Sequence, residues 1–125
     1  MTKLMKNKKT QNLEFGDFIR KTRHKLNIGL REFASKVGIS ATYISKMEVG
    51  EYAAPKEENI KKMADILKVN ADKLLAMADK ISSDVKEKIN TEPKLYAAFL
   101  RRVKPADLEK FMKELEAEKN DGKRS

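Results

Sequence analysis

The chain has 125 residues, 40% of them hydrophobic and 38% charged, with a formal net charge of +9. That is enough for one domain, or one domain with an appendage, around a modest core. It holds no cysteine and a single histidine, His24, which excludes disulfides and thiolate or multi-histidine metal clusters. No enzyme and no cofactor are expected. With no apolar run of membrane length and no signal-peptide pattern, the sequence predicts neither a membrane partner nor secretion, and so a cytoplasmic protein. The positive excess points to an anionic partner, although a lysine-rich solvated surface accounts for part of it.

Residues 1–12, with four lysines and no acid, show almost no apolar periodicity and predict a flexible basic arm. Order is expected from Leu13. Phe15, Phe18, Ile19, Thr22 and Leu26 recur at helical spacing, and Asn27-Ile28-Gly29 ends that first helix. Phe33, Ala34 and Val37 form the stripe of a short second helix, stopped by Gly38, which takes the left-handed conformation cheaply. Ser40 then caps a third helix that runs to Gly50. After the loop "EYAAP", Ile60, Met63, Ala64 and Leu67 mark a fourth helix. Asn70 caps a fifth, carrying Leu74, Leu75 and Ala78. Nothing alternates with period two over a useful length, so the fold reads as all-α.

Beyond residue 79 the pattern changes. Val85 and Ile89 make a brief apolar pair, and Leu95, Phe99, Leu100 and Val103 mark a helix after "TEP". Pro105 suits the first turn of a last helix with Leu108, Phe111, Met112 and Leu115, because its missing N–H is not needed there. The resulting division is an arm at 1–12, a domain at 13–79, a helical extension at 80–118 and a frayed tail at 119–125.

The second and third helices, joined by about three residues around Gly38, have the connection of a helix-turn-helix. Ala34 is small where the helices cross, Ile39 plugs beneath the turn and Ile44 anchors the third helix from below. Such a unit holds the third helix outward, where its first turn fits the major groove of DNA.

The stretch "IRKTRHKLNIGLREFASKVGISATYISKMEVGEYAAPKEENIKKMADIL" resembles the Cro and phage-repressor type of helix-turn-helix, the XRE family, over roughly residues 15–78. The landmarks are Arg23, Ala34, Gly38, Ile44, Glu48, Gly50, Pro55, Ala64 and Leu67. The resemblance implies a five-helix DNA-binding domain of bacterial or phage type, followed here by the helical extension. Ala41, Thr42, Ser45 and Lys46 match base-reading positions, with Lys46 also able to meet a phosphate. Arg31, Tyr43 and Lys56 fall where the DNA backbone passes, although the Tyr43 ring could instead pack on the protein surface. Arg23 and Glu48 match a partly buried ion pair that is structural rather than catalytic.

The sequence departs from the family pattern at four places. Leu30 replaces a polar, often glutamine, residue, and Gly29 replaces a serine or threonine cap. Val49 stands where a basic residue is common, and Glu51 adds a negative charge beside the loop.

The function so implied is a sequence-specific transcriptional regulator of repressor type, in the cytoplasm at the nucleoid, binding double-stranded DNA as a homodimer on a pseudo-palindromic operator. The apolar residues of the extension would either form the dimer surface or fold onto their own subunit. The competing reading is a protein-interaction module, an antitoxin or bridging factor with a protein partner and weak DNA reading.

Overall fold

A computed structural model describes the backbone of residues 7–124 and the side chains of residues 7–119. The described residues form helices α1 (Lys8–Lys25), α2 (Leu30–Val37), α3 (Ala41–Glu48), α4 (Glu57–Leu67), α5 (Ala71–Met77), α6 (Ser83–Thr91), α7 (Pro93–Arg102) and α8 (Pro105–Arg124), with no strand among them. Among these residues no helix is long and apolar enough to cross a membrane. The chain divides after Ser83 into two compact units, Met1–Ser83 and Asp84–Ser125.

In the first unit, helices α1 to α5 enclose one core. Phe15, Ile19, Phe33, Ile44, Met47, Ile60, Met63, Leu67, Leu74 and Leu75 are all at most 2% exposed. Burying each such side chain contributes about 1.5–3 kcal/mol, which decides why five short helices hold together when none is stable alone. The helix-turn-helix corner depends on Gly38, whose φ of +86° is left-handed. In that conformation the Gly38 and Ile39 N–H groups both donate to the Ala34 carbonyl, at 2.9 and 3.0 Å. Ser40 Oγ then accepts the Tyr43 N–H at 3.1 Å, and Asn70 Oδ1 accepts the Lys73 N–H at 2.9 Å, so both helices start on the caps read from sequence.

Gly16 makes the closest approach in this unit. A Cβ there would lie 2.2 Å from the Met47 carbonyl oxygen and 2.8 Å from that of Glu48. Helix α1 therefore lies directly on the last backbone turn of α3, and only a residue without a side chain permits it. Gly16→Ala is expected to destabilise the domain by about 1–3 kcal/mol through overpacking, despite alanine's better helix propensity. Urea unfolding decides this: a variant as stable as the parent would mean that the two helices separate at no cost.

Three expectations from sequence are corrected. The arm expected at 1–12 is helical from Lys8, because Asn7 Oδ1 accepts the Thr10 N–H at 2.8 Å and starts α1 a turn and a half before Leu13; residues 1–6 lie outside the described residues. The tail expected to fray at 119–125 continues α8 to Arg124, prolonging a segment at 106–119 rich in Ala, Leu, Glu and Lys, which favour helix. The boundary expected after residue 79 falls after Ser83. Ser82, only 5% exposed, and Ser83 account for this shift. The Glu57 carboxylate accepts the Ser83 N–H at 3.1 Å and its hydroxyl at 2.9 Å. The same carboxylate pairs with Lys61 at 2.9 Å. Lys61 first, and then the two Ser83 donors, hold the Glu57 carboxyl down to about 2. It is therefore charged throughout the neutral range.

The second unit is differently built. Pro93 and Pro105 open α7 and α8, and the Val103 N–H closes α7 on the Phe99 carbonyl at 2.8 Å. Helices α6 and α7 bury no side chain. Leu95, Phe99, Leu100, Phe111 and Met112 are all close to half exposed or more. A groove of about 500 Å³ runs along Leu95, Ala98, Phe99 and Val103, flanked by Arg102 and Asp107.

Candidate nucleic-acid interface

Helix α3 has eight residues and two unlike sides. Ile44 and Met47 are wholly buried and Glu48 is 7% exposed, which fixes the orientation of the helix in the core. Thr42 and Ser45 are exposed, while Ala41 and Lys46 are half-buried. Residues three and four apart share a helix face, so Thr42, Ser45 and Lys46 form one polar surface opposite the buried side. Ala41 packs against the core with part of its surface.

The surroundings of Lys46 were not legible from sequence. Its ammonium lies 5.3 Å from the centre of the Tyr52 ring, a cation–π distance. Tyr52 in turn meets Tyr43 with ring centres 5.3 Å apart and planes tilted by 48°. The Lys46 carbonyl accepts the Glu51 N–H at 2.9 Å and, more weakly, the Tyr52 N–H at 3.4 Å, which folds the loop back on α3. The Tyr43 hydroxyl donates to the Ala53 carbonyl and fastens the far side of the same loop. Burial, and secondly the neighbouring Tyr52, raise the Tyr43 phenol above its ordinary value. The proton therefore stays on the hydroxyl, committed to Ala53, and a phosphate oxygen could receive it only if that bond opened.

The remaining residues implied by the resemblance surround this helix. Arg31 is exposed in the first turn of α2, whereas Leu30 beside it is half-buried and packs on the core. A leucine there contributes to packing where a polar residue would face outward. Gly29 stands before α2 in extended conformation and supplies no side-chain cap. Lys56 occupies the cap position of α4, mostly exposed, its ammonium 4.0 Å from Glu58. Val49 and Glu51 are exposed. His24 is exposed on α1.

Arg23 and Glu48 join α1 to α3 beneath this surface. Arg23 Nε donates to Glu48 Oε2 and Arg23 Nη2 to Oε1, both at 2.9 Å, a two-pronged pairing of guanidinium and carboxylate. The remaining Nη1 donates to the Ile28 carbonyl at 2.9 Å and so ties down the turn that precedes α2. Arg23 is 6% exposed and Glu48 7%. Among the described residues, no group of three or more His, Cys, Asp or Glu side chains is placed to hold a metal ion.

Residues 16–80 match the family model HTH_19, described as a helix-turn-helix domain. The chain is 38% identical over 69 residues, 55% of its length, to the uncharacterized HTH-type transcriptional regulator RghRB of Bacillus subtilis, of which the match covers 50%. It is 34% identical over 64 residues, 51% of its length, to the HTH-type transcriptional repressor RghR of the same organism, covering 47% of that protein. The chain thus spans about half the length of these curated relatives. Among solved structures, the clp gene regulator ClgR of Corynebacterium glutamicum superposes with a TM-score of 0.48 at 18% identity, over 74% of this chain and 94% of that one. With more than half of its residues matched by the family model, the chain belongs to the XRE-type helix-turn-helix family of DNA-binding transcriptional regulators.

Proposed function

We propose that the protein is a sequence-specific repressor that reads a pseudo-palindromic operator with α3, as a homodimer in the cytoplasm. The observation that carries this reading is the two-sided nature of α3: Thr42 and Ser45 exposed on one side, Ile44 and Met47 fully buried on the other. Thr42 and Ser45 each offer a hydroxyl that donates or accepts, and Lys46 offers a donor suited to a guanine edge or a phosphate. Ala41 and the Thr42 methyl suit a thymine methyl. Arg31 and Lys56 supply charge for the flanking phosphates, which the Tyr43 hydroxyl would reach only by leaving the Ala53 carbonyl. The repressor role is supported by the similarity to RghR, a transcriptional repressor.

A dimer is required because one short helix reads too few base pairs, and two-fold partners place their reading helices about 34–36 Å apart. The exposed apolar groove of the second unit is the surface that we assign to this contact. With Arg102 and Asp107 at its edges it carries both signs of charge, as a self-complementary two-fold interface needs. The same groove supports the competing reading, a protein-interaction module, if what it binds is another protein.

Substitution in α3 tests the proposal. Thr42→Ala and Lys46→Ala should leave the melting temperature nearly unchanged, because neither side chain is in the core. Each should cost about 1–3 kcal/mol at one or two operator positions where it touches a base. A phosphate contact would weaken all sequences alike. Binding sites selected from random DNA by each variant distinguish these. If both variants recover the parent's sites at the parent's affinity, α3 is not the reading helix.

A further inference from the structure

We infer that Tyr52, outside the reading helix, is a specificity-determining residue that positions the Lys46 ammonium for its contact with DNA. The inference rests on the proposal that α3 reads the operator. It starts from the loop 49–53, whose backbone returns onto the Lys46 carbonyl through the Glu51 and Tyr52 N–H groups. Tyr43 fixes the other end through its bond to Ala53 and supports the Tyr52 ring by direct contact. Tyr52 is thus held by its backbone, by a neighbouring ring and by the loop that follows. Tyr52 as a residue is 40% exposed, and the Lys46 ammonium lies over its ring at 5.3 Å.

A lysine carries four rotatable bonds, and an unsupported side chain loses that rotamer freedom when it engages a base or phosphate. An aromatic face that attracts the ammonium narrows those rotamers before DNA arrives. It leaves the hydrogens on the outward side of the nitrogen free to donate. An exposed cation–π contact is worth about 0.5–1 kcal/mol, so the advantage amounts to about 2- to 5-fold in operator affinity.

Four proteins test this: the parent, Tyr52→Leu, Lys46→Ala and the double variant, each titrated against a duplex selected by the parent from random sequence. Leucine keeps apolar bulk against Tyr43 but has no π face. Tyr52→Leu should weaken binding about 2- to 5-fold in the parent and not at all in the Lys46→Ala background. Tyr52→Phe should restore parental affinity. Site selection with Tyr52→Leu should relax the same operator positions as Lys46→Ala. Equal losses on both backgrounds would overturn the inference, since Tyr52 would then act without Lys46. So would no loss on either, or a Tyr52→Phe variant as weak as Tyr52→Leu, which would assign the effect to the hydroxyl. If Lys46→Ala alone binds like the parent, the failure lies in the reading role of Lys46, and the inference falls with it.

Discussion

Replacing Glu48 with alanine is expected to cost the fold about 3–5 kcal/mol, read as a large drop in the urea midpoint. The variant keeps the Arg23 guanidinium, 6% exposed, and removes the carboxylate that accepts two of its hydrogen bonds. A charge left unpaired in the core costs far more than the pair is worth against an apolar replacement. For a domain whose total stability is about 5–15 kcal/mol, the variant is near unfolding and its melting temperature falls by more than about 10 °C. The double variant Arg23→Met, Glu48→Leu should recover most of the loss, because both charges leave together. Recovery stays incomplete by about 1 kcal/mol, since the Ile28 carbonyl loses the Arg23 Nη1 donor. A Glu48→Ala protein that melts with the parent yet no longer functions would give Glu48 a chemical task instead of a structural one.

Operator binding should fall steeply with salt. On the proposed contacts, Arg31 and Lys56 from each of two subunits meet phosphates and Lys46 brings a third cation into the groove, so that about six condensed counterions are released. Between about 50 and 200 mM salt, six contacts lower the affinity roughly 10³-fold, and ten would lower it roughly 10⁵-fold. Lys56→Ala should reduce the slope by about one unit per subunit with no change in preferred sequence. Fluorescence anisotropy across a salt series measures both. A specific complex whose affinity is indifferent to salt would remove the electrostatic basis of the proposal, whatever the helix-turn-helix geometry.

The first five helices were legible because each carries an apolar stripe at helical spacing, and because Gly38, Ser40 and Asn70 mark its ends. The start of α1 was missed for the converse reason. Lys8 to Gln11 hold no apolar residue, so periodicity is silent there, and the usable signal was Asn7 as a cap three residues before Thr10. Helix α6 announced itself only as the pair Val85 and Ile89, which a helix with no buried face cannot improve upon. Gly16 was invisible in principle: its need for an absent side chain comes from carbonyls of α3 about thirty residues away. Tyr52 reads from sequence only as a loop residue, because its relation to Lys46 depends on how the backbone turns at Gly50. From sequence Tyr43 suits a phosphate or the protein surface alike, and in the structure its hydroxyl donates to the Ala53 carbonyl.

The brevity of α3 has a bearing on how such a protein acquires new targets. Of its eight residues, Ile44, Met47 and Glu48 are held by the core, and Ala41 and Tyr43 are partly held by it and by the following loop. Thr42, Ser45 and Lys46 remain open to exchange with little effect on folding. On the proposed reading by α3, operator specificity can diverge by single substitutions at three codons without passing through unfolded intermediates. A library randomised at those codons is small enough to sort completely, and retargeting by selection needs no redesign of the scaffold.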